Sequence, residues 1–358
     1  MRAAVLREYN SPLEIVDTME TVETGPGQVR VRIRVTGACH SDLSGMTGKL
    51  SAPAPFVPGH EGAGEILEVG EGVTSVAPGD HVIVSFMPAC GSCAHCARDE
   101  GHLCMALMAG ASRTPGFRLD GKPVFSFVGC GTFAEEVVLP YQSVVPVAKD
   151  VPFEIAALIG CGVTTGTGAV FNTAQVHEGS TVAIVGCGGV GIAAMMAAGL
   201  SGASQILAVD PSAAKRELVM GFGATATATP EEAEAVAAEL TGGQGFDYTF
   251  EVVGRSSTVE AAYKLARRGG TVTVVGVGAR DDNFQMSMGA LAMQSKNVKG
   301  SVYGGADVPQ QMRNLVSLWR EGRLDLDAMI TDRVQLEDVN KAFDLMKTGN
   351  GIRTVIEL

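Results

Sequence analysis

Apolar Val29, Val31, Ile33 and Val35 interleave with Arg30, Arg32 and Arg34 near the start of the chain. A period of two puts one set of side chains in a core and the other in water, so this spacing predicts a half-buried strand. Short apolar runs broken by Gly and Pro continue to about residue 150, among them 64–69 and 80–84. That texture reads as a small all-β, barrel-like unit with long loops. Near residue 153 the period lengthens, and helices are predicted over 153–158 and 164–172. From residue 180 the two periods alternate. Strands are predicted over 181–185, 205–209, 246–253 and 271–275, with helices over 190–200, 212–220, 231–240 and 257–267. Repeated strand–helix units imply a parallel sheet covered on both faces. Helices over 309–321 and 336–348 and a strand over 353–358 complete the pattern.

Composition narrows this picture. A chain of 358 residues suggests two domains at roughly 100–200 residues each. With 46% hydrophobic and 18% charged residues it is not a disordered chain. The 46 glycines follow no G-X-Y period, which excludes collagen. The formal charge of −12, without a long basic cluster, argues against nucleic acid or anionic membrane as a partner. Only four apolar residues, Ala3 to Leu6, precede the next charges, too few for a secretory signal. The most apolar stretch, 192–200, falls short of the ~20 residues that span a bilayer. A cytoplasmic location is therefore expected, and there the eight cysteines favour metal or catalysis over disulfides.

Three groups of residues carry candidate chemistry. Gly186-Cys187-Gly188-Gly189-Val190-Gly191 fits G-x-G-x-x-G between a predicted strand and a helix. Glycines there permit a tight turn and let backbone N–H groups reach a pyrophosphate. Asp210, at the end of the next strand, is the acidic residue expected to bind an adenosine ribose and repel a 2′-phosphate, favouring NAD over NADP. Lys215, one turn into the next helix, could reach the same ribose. The plain alternative is a structural glycine turn and a surface Asp. Cys90, Cys93, Cys96 and Cys104 form C-x2-C-x2-C-x7-C, which suits a closed, structural tetrahedral zinc. An iron–sulfur cluster is the rival, though the spacing departs from the bacterial C-x2-C-x2-C-x3-C-P run. Cys39, His60 and Cys161 are dispersed; separately they could be two buried cysteines and a hydrogen-bonded histidine. Together they would form a Cys2His set with a fourth position open for catalysis, with Asp42 and Glu61 near enough in sequence to orient them, although spacing alone does not join Cys161 to the other two.

With these motifs in view, the chain resembles the zinc-dependent medium-chain alcohol dehydrogenases over essentially its whole length. The likeness rests on Gly37-Ala38-Cys39-His40-Ser41-Asp42, Gly59-His60-Glu61, the four-cysteine loop, Cys161-Gly162-Val163-Thr164-Thr165-Gly166, the glycine loop with Asp210, and Ile352-Arg353-Thr354-Val355. It implies an α/β protein with a GroES-like β-barrel catalytic domain, residues 1–162 and 303–358. The remaining domain, 163–302, would be a Rossmann doubly wound parallel sheet. It implies NAD and two zinc ions per chain, with Cys39, His60 and Cys161 on the catalytic zinc. Zinc in such a site acts as a Lewis acid on the alcohol, and the hydride passes to C4 of the nicotinamide. Ser41 would take the alcohol proton and pass it to the cofactor ribose. Thr165 and Val190 would pack on the nicotinamide, Val275, Val277, Ser301 and Tyr303 would hold its carboxamide, and Arg353 would contact the pyrophosphate. The plain alternative for Arg353 is a solvated charge. The loop over 112–128 resembles the longer form of dimeric branches, so a homodimer is expected.

Departures from the family pattern shape the expectations further. Many members end the proton relay with a histidine where this chain has Ser44. His40 stands where relatives often place arginine at the pyrophosphate, and imidazole changes charge near neutral pH; the alternative is a neutral ring hydrogen-bonded locally. The glutathione-dependent formaldehyde branch uses charged pocket residues at positions that align with Leu50 and Met108, which argues against a glutathione adduct. The expected substrate lining, Leu50, Phe86, Met108, Ala109, Phe127 and Val128, is apolar, although the same residues could be ordinary core. An NAD-dependent dehydrogenase of medium-chain, terpenoid or aryl alcohols is the resulting expectation, of the general alcohol class. Its rivals are a dismutase or acceptor-dependent relative with tightly held NAD, and a non-catalytic zinc- and nucleotide-binding relative.

Overall fold

The computed structural model describes residues 1–349 and 351–358. The chain divides into two compact units, Met1–Cys161 with Asp307–Leu358, and Gly162–Ala306. The second junction lies past the expected 303 because the intervening residues are tied to the second unit, Asn172 Nδ2 donating to the Gly304 carbonyl at 2.8 Å.

The first unit is built on a seven-stranded sheet. Its path runs Val144–Val147, His81–Val84, Glu61–Val69, Gln28–Gly37, Arg353–Glu357 and Ile330–Gln335, and Glu136–Pro140 pairs separately with Gln28–Gly37. The alternation read from the sequence is realised in Gln28–Gly37. Val29, Val31 and Ile33 are buried, while Arg32 and Arg34 face water beside Glu136 and Glu65. Val31, Phe133, Leu139, Phe343 and Ile356 share one core, so the late strand Arg353–Glu357 and helix Val339–Thr348 complete the early β-structure. Register brings Gly37 level with Glu61 on one side and Val355 on the other.

The second unit carries a six-stranded, all-parallel sheet. Its order is Ala226–Ala228, Gln205–Val209, Thr181–Val185, Phe246–Glu251, Ala266–Val274 and Asn297–Gly300. This is the doubly wound order, whose switch point lies between Thr181–Val185 and Phe246–Glu251. Strands 181–185 and 205–209 have the boundaries their apolar runs predict. Strand Ala266–Val274 begins before the predicted 271, since helix Ser256–Leu265 stops at Leu265 rather than Arg267.

One expectation needs correcting. The gap between the helices predicted over 153–158 and 164–172 is itself helical. A π turn, Ile159–Val163, joins them, and a second, Ala169–Ala174, ends the run. The 22-residue stretch Phe153–Ala174, not 192–200, is therefore the longest apolar helix, long enough to cross a membrane by length and composition. Of its apolar window, 83% is buried in the protein, as in a core helix.

Candidate active site and zinc centres

Cys39 follows the central strand Gln28–Gly37 and precedes the helix His40–Met46, its backbone still extended. Three residues on, Asp42 is fully buried and turns back. The Cys39 N–H donates to Asp42 Oδ2 at 3.1 Å, and the Gly59 N–H and His60 Nδ1–H donate to Oδ1, each at 3.0 Å. One carboxylate thus fixes both candidate ligands and leaves His60 Nε2 with its lone pair available. Gly59 is required by this arrangement: its φ is +94°, and a Cβ there would lie 2.5 Å from Phe133 Cδ1.

Cys161 sits in the first π turn of the long helix. The ligand atoms of Cys39, His60, Glu61 and Cys161 lie within 4.8 Å of one another, all four residues buried. Tetrahedral zinc with bonds of about 2.0–2.3 Å separates its ligands by roughly 3.3–3.8 Å, so the donor set fits. The Glu61 carboxylate is occupied by an ion pair with the Arg353 guanidinium, which leaves Cys39, His60 and Cys161. Arg353 is 8% exposed, not a solvated charge. A hydrogen bond shared with Cys161, and the neighbouring His60, hold the Cys39 thiol well below its usual range against the effect of burial. Burial opposes a charged His60, yet Asp42 and Cys39 raise it to about 10. The surroundings favour a cation at this point.

Ser41 and Ser44 are half-buried on the helix His40–Met46, and His40 is exposed at its start. The residues expected to line the substrate pocket include two rings set edge-on to His60. Phe86 lies at 5.4 Å between centroids and 84°, Phe127 at 5.9 Å and 66°. Phe127 is 1% exposed, stacked on Phe56 and covered by Gly45, whose missing Cβ would sit 2.5 Å from the ring. Leu50, Phe86, Met108, Ala109 and Val128 are half-buried. Val128 has φ 46° and ψ 28°, an outlier for a β-branched residue that the sequence did not signal.

The four-cysteine loop closes on itself. Sγ separations are 3.6 Å for Cys93–Cys96, 3.7 Å for Cys93–Cys104 and 4.0 Å for Cys90–Cys96. Four Zn–S bonds of about 2.3 Å in a tetrahedron give edges of about 3.8 Å, so these thiols are spaced for zinc. Hydrogen bonds from Ser92 and the Cys93 N–H lower the Cys90 thiol to about 6. The remaining cysteines are buried: Cys130, whose thiol burial pushes far up, and Cys187, pushed up to about 12 by burial and Asp210.

In the second unit Gly186 has φ +110°, and a Cβ there would meet Val253 at 2.7 Å. A Cβ on Gly191 would lie 2.0 Å from the Gly186 carbonyl oxygen, so the third glycine of the motif packs the helix on the turn. Gly188 meets nothing within 4 Å, which leaves its backbone open to a ligand, and Gly189 starts the helix Gly189–Leu200. Asp210 is 7% exposed, not a surface group. Its carboxylate accepts the Cys187 and Ser212 N–H groups, each at 2.9 Å. Lys215 is half-buried beside it, and Arg216, unforeseen from the motif, donates to the Asp210 carbonyl at 2.7 Å. Thr165 and Val190 are half-buried, Val275, Ser301 and Tyr303 are buried, and Val277 is 71% exposed.

Comparison with known proteins agrees with this geometry. The alcohol dehydrogenase GroES-like domain matches residues 25–149, and the zinc-binding dehydrogenase domain matches residues 189–319. An alcohol dehydrogenase class-3 of Cereibacter sphaeroides is 40% identical over 379 aligned residues, covering 99% of both chains. The chain belongs to the zinc-dependent medium-chain alcohol dehydrogenase family. Its cofactors are NAD and zinc, and the four-cysteine and Cys2His sets can each hold a metal ion. An S-(hydroxymethyl)glutathione dehydrogenase of Paracoccus denitrificans is 38% identical, again over 99% of both chains. The solved benzyl alcohol dehydrogenase of Acinetobacter calcoaceticus superposes with a TM-score of 0.92 at 28% identity, covering 100% of this chain and 99% of that one. The Paracoccus relative is named for the glutathione adduct, while the solved structure is named for an aryl alcohol.

Proposed function

We propose that this alcohol dehydrogenase interconverts bulky apolar alcohols, aryl, terpenoid or medium-chain, with their aldehydes or ketones, and does so as a cytoplasmic homodimer. The observation that carries the substrate class is the half-buried Phe86, whose ring stands edge-on to His60, backed by the buried ring of Phe127. An apolar wall beside the reacting oxygen ranks alcohols by the area they bury, about fourfold per methylene at roughly 0.8 kcal/mol each.

Cys39, His60 and Cys161 would hold the catalytic zinc, and Cys90, Cys93, Cys96 and Cys104 the structural one. The glycine loop with Asp210 and Lys215 would hold NAD. When bound, zinc supplies a Lewis acid to the alcohol oxygen and NAD supplies the hydride acceptor. The chain's own residues do the rest. Asp42 fixes the His60 tautomer and the Cys39 backbone. The half-buried Ser41 hydroxyl would take the alcohol proton and pass it to the cofactor ribose, and because position 44 is a serine rather than an imidazole, the proton would go on to water directly or through another base. Phe86 would keep water from the reacting oxygen, with Phe127 packed behind it in the core. Arg353, anchored by Glu61, would contact the pyrophosphate.

A second reading, oxidation of the glutathione adduct of formaldehyde, is favoured by the printed name of the Paracoccus relative. One panel separates the two. NADH formation is followed with benzyl alcohol, cinnamyl alcohol, geraniol, hexanol, ethanol and formaldehyde mixed with glutathione. The proposal expects kcat/KM for the aryl and terpenoid alcohols to exceed ethanol by at least about tenfold. Highest efficiency on the glutathione adduct selects the second reading, and highest efficiency on ethanol overturns the apolar-pocket argument.

A further inference from the structure

The second π turn of the long helix, Ala169–Ala174, ends beside the segment that follows the edge strand Asn297–Gly300. Asn172 Nδ2 donates to the Gly304 carbonyl at 2.8 Å, and Thr173 Oγ1 shares a 2.9 Å hydrogen bond with Ser301 Oγ. Lys299 Nζ donates to the Thr173 carbonyl at 3.1 Å. The approach is close: a Cβ on Gly305 would lie 2.5 Å from Thr173 Oγ1. These bonds restrain a backbone that is costly to hold. Tyr303, Gly304 and Gly305 have φ of 49°, 84° and 69°, three successive left-handed residues, and the first is a tyrosine 2% exposed. A left-handed L-residue costs about 1–2 kcal/mol and persists where its surroundings over-determine it. The Ser301 N–H also donates to Val274 at 2.9 Å and the Gly305 N–H to Val302 at 3.0 Å. The segment leaves the carboxyl end of a parallel strand, the rim at which open α/β sheets bind nucleotides. π turns, wider than the α-helix, concentrate at such places.

We propose that Asn172 and Thr173 are positioning residues for the nicotinamide end of NAD. They act through Ser301–Gly305, holding its left-handed turn in the shape that meets the carboxamide. The inference rests on the reading that Ser301 and Tyr303 contact that carboxamide. Removing either tether leaves the adenosine half of the site, Gly186–Gly191 and Asp210, untouched.

The test is equilibrium binding of NADH and of ADP-ribose to the zinc-loaded enzyme, by fluorescence and calorimetry. The variants are Thr173→Val, Thr173→Ser, Asn172→Ala and Tyr303→Ala. Thr173→Val and Asn172→Ala are expected to weaken NADH roughly tenfold, the loss of one hydrogen bond of about 1.4 kcal/mol, while ADP-ribose affinity is unchanged. Thr173→Ser keeps the hydroxyl and is expected to bind NADH like the wild type. A general loss of structure would weaken both ligands together, and that result overturns the proposal, as does an unchanged NADH affinity in Thr173→Val and Asn172→Ala. If Tyr303→Ala alone lowers NADH affinity, the tether is wrong and the loop reading stands. If Tyr303→Ala also leaves the NADH to ADP-ribose ratio unchanged, the loop reading falls and the proposal falls with it.

Discussion

Asp42 accepts hydrogen bonds from three separate donors with no exposure to water, so its charge cannot be replaced by solvent. Asp42→Asn keeps the shape but turns an amide NH2 toward one of those donors. Zinc affinity at the Cys39–His60–Cys161 centre is expected to fall by about 10–100-fold, while the four-cysteine centre keeps its ion. Metal analysis after dialysis against a mild chelator checks this by loss of one ion of the pair. Gly37 is the second sensitive position. A Cβ there would fall 2.2 Å from Glu61 Oε2 and 3.3 Å from Arg353 Nη2, inside the ion pair. Gly37→Ala is expected to destabilise by about 1–3 kcal/mol in urea unfolding. Gly199→Ala, in a helix with nothing within 4 Å, should instead gain about 0.5–1 kcal/mol. The two glycines look alike in the sequence. Asp42 and Glu61 were legible as neighbours of candidate ligands, but the demand on Gly37 depends on a register with Glu61 and Val355 that no local pattern encodes.

At the scale of elements, Asp247 joins three segments of the parallel sheet. Its carboxylate accepts the Thr181 N–H at 2.8 Å, the Thr181 hydroxyl at 2.9 Å and Arg267 Nε at 2.7 Å. Burial works against the charge, but the Thr181 N–H and the Arg267 guanidinium overcome it and hold the carboxyl below the usual aspartate range. A depressed folded value means the charged form stabilises at neutral pH, and the benefit is lost as pH falls through that value. Asp247→Asn is therefore expected to cost about 1–2 kcal/mol at neutral pH and progressively less below the ordinary aspartate value, in chemical unfolding at several pH values. Strands 181–185 and 205–209 were legible because both their faces are buried and their apolar runs end sharply. The edge strand Asn297–Gly300 was not: all four of its residues are exposed, so no hydrophobic period marks it. The π turn Ile159–Val163 was missed for another reason, since its glycines, Gly160 and Gly162, imitate a break.

At the scale of the whole molecule, the parallel-sheet unit Gly162–Ala306 is continuous in sequence, whereas the other unit is assembled from two distant segments. The alternating pattern showed the first directly; the discontinuity came only through the family resemblance, because no composition change announces a strand that returns. The continuous unit has its own core, with Val185, Leu207, Phe246 and Val272 among its buried members. Expressed alone, Gly162–Ala306 is expected to fold and to bind ADP-ribose within about tenfold of the full chain, as read by calorimetry. The inserted strand Arg353–Glu357 has a different consequence, one of timing. Gln28–Gly37 is synthesised early but gains its Arg353–Glu357 neighbour only after the entire nucleotide unit has been made. Until then a hydrogen-bonding edge lies open and Glu61 lacks its arginine, an interval in which stray strand pairing competes with completion. The ribosome therefore delivers a finished cofactor unit before the zinc unit can close, and slowed translation of the last segment would prolong the interval in which that edge is open.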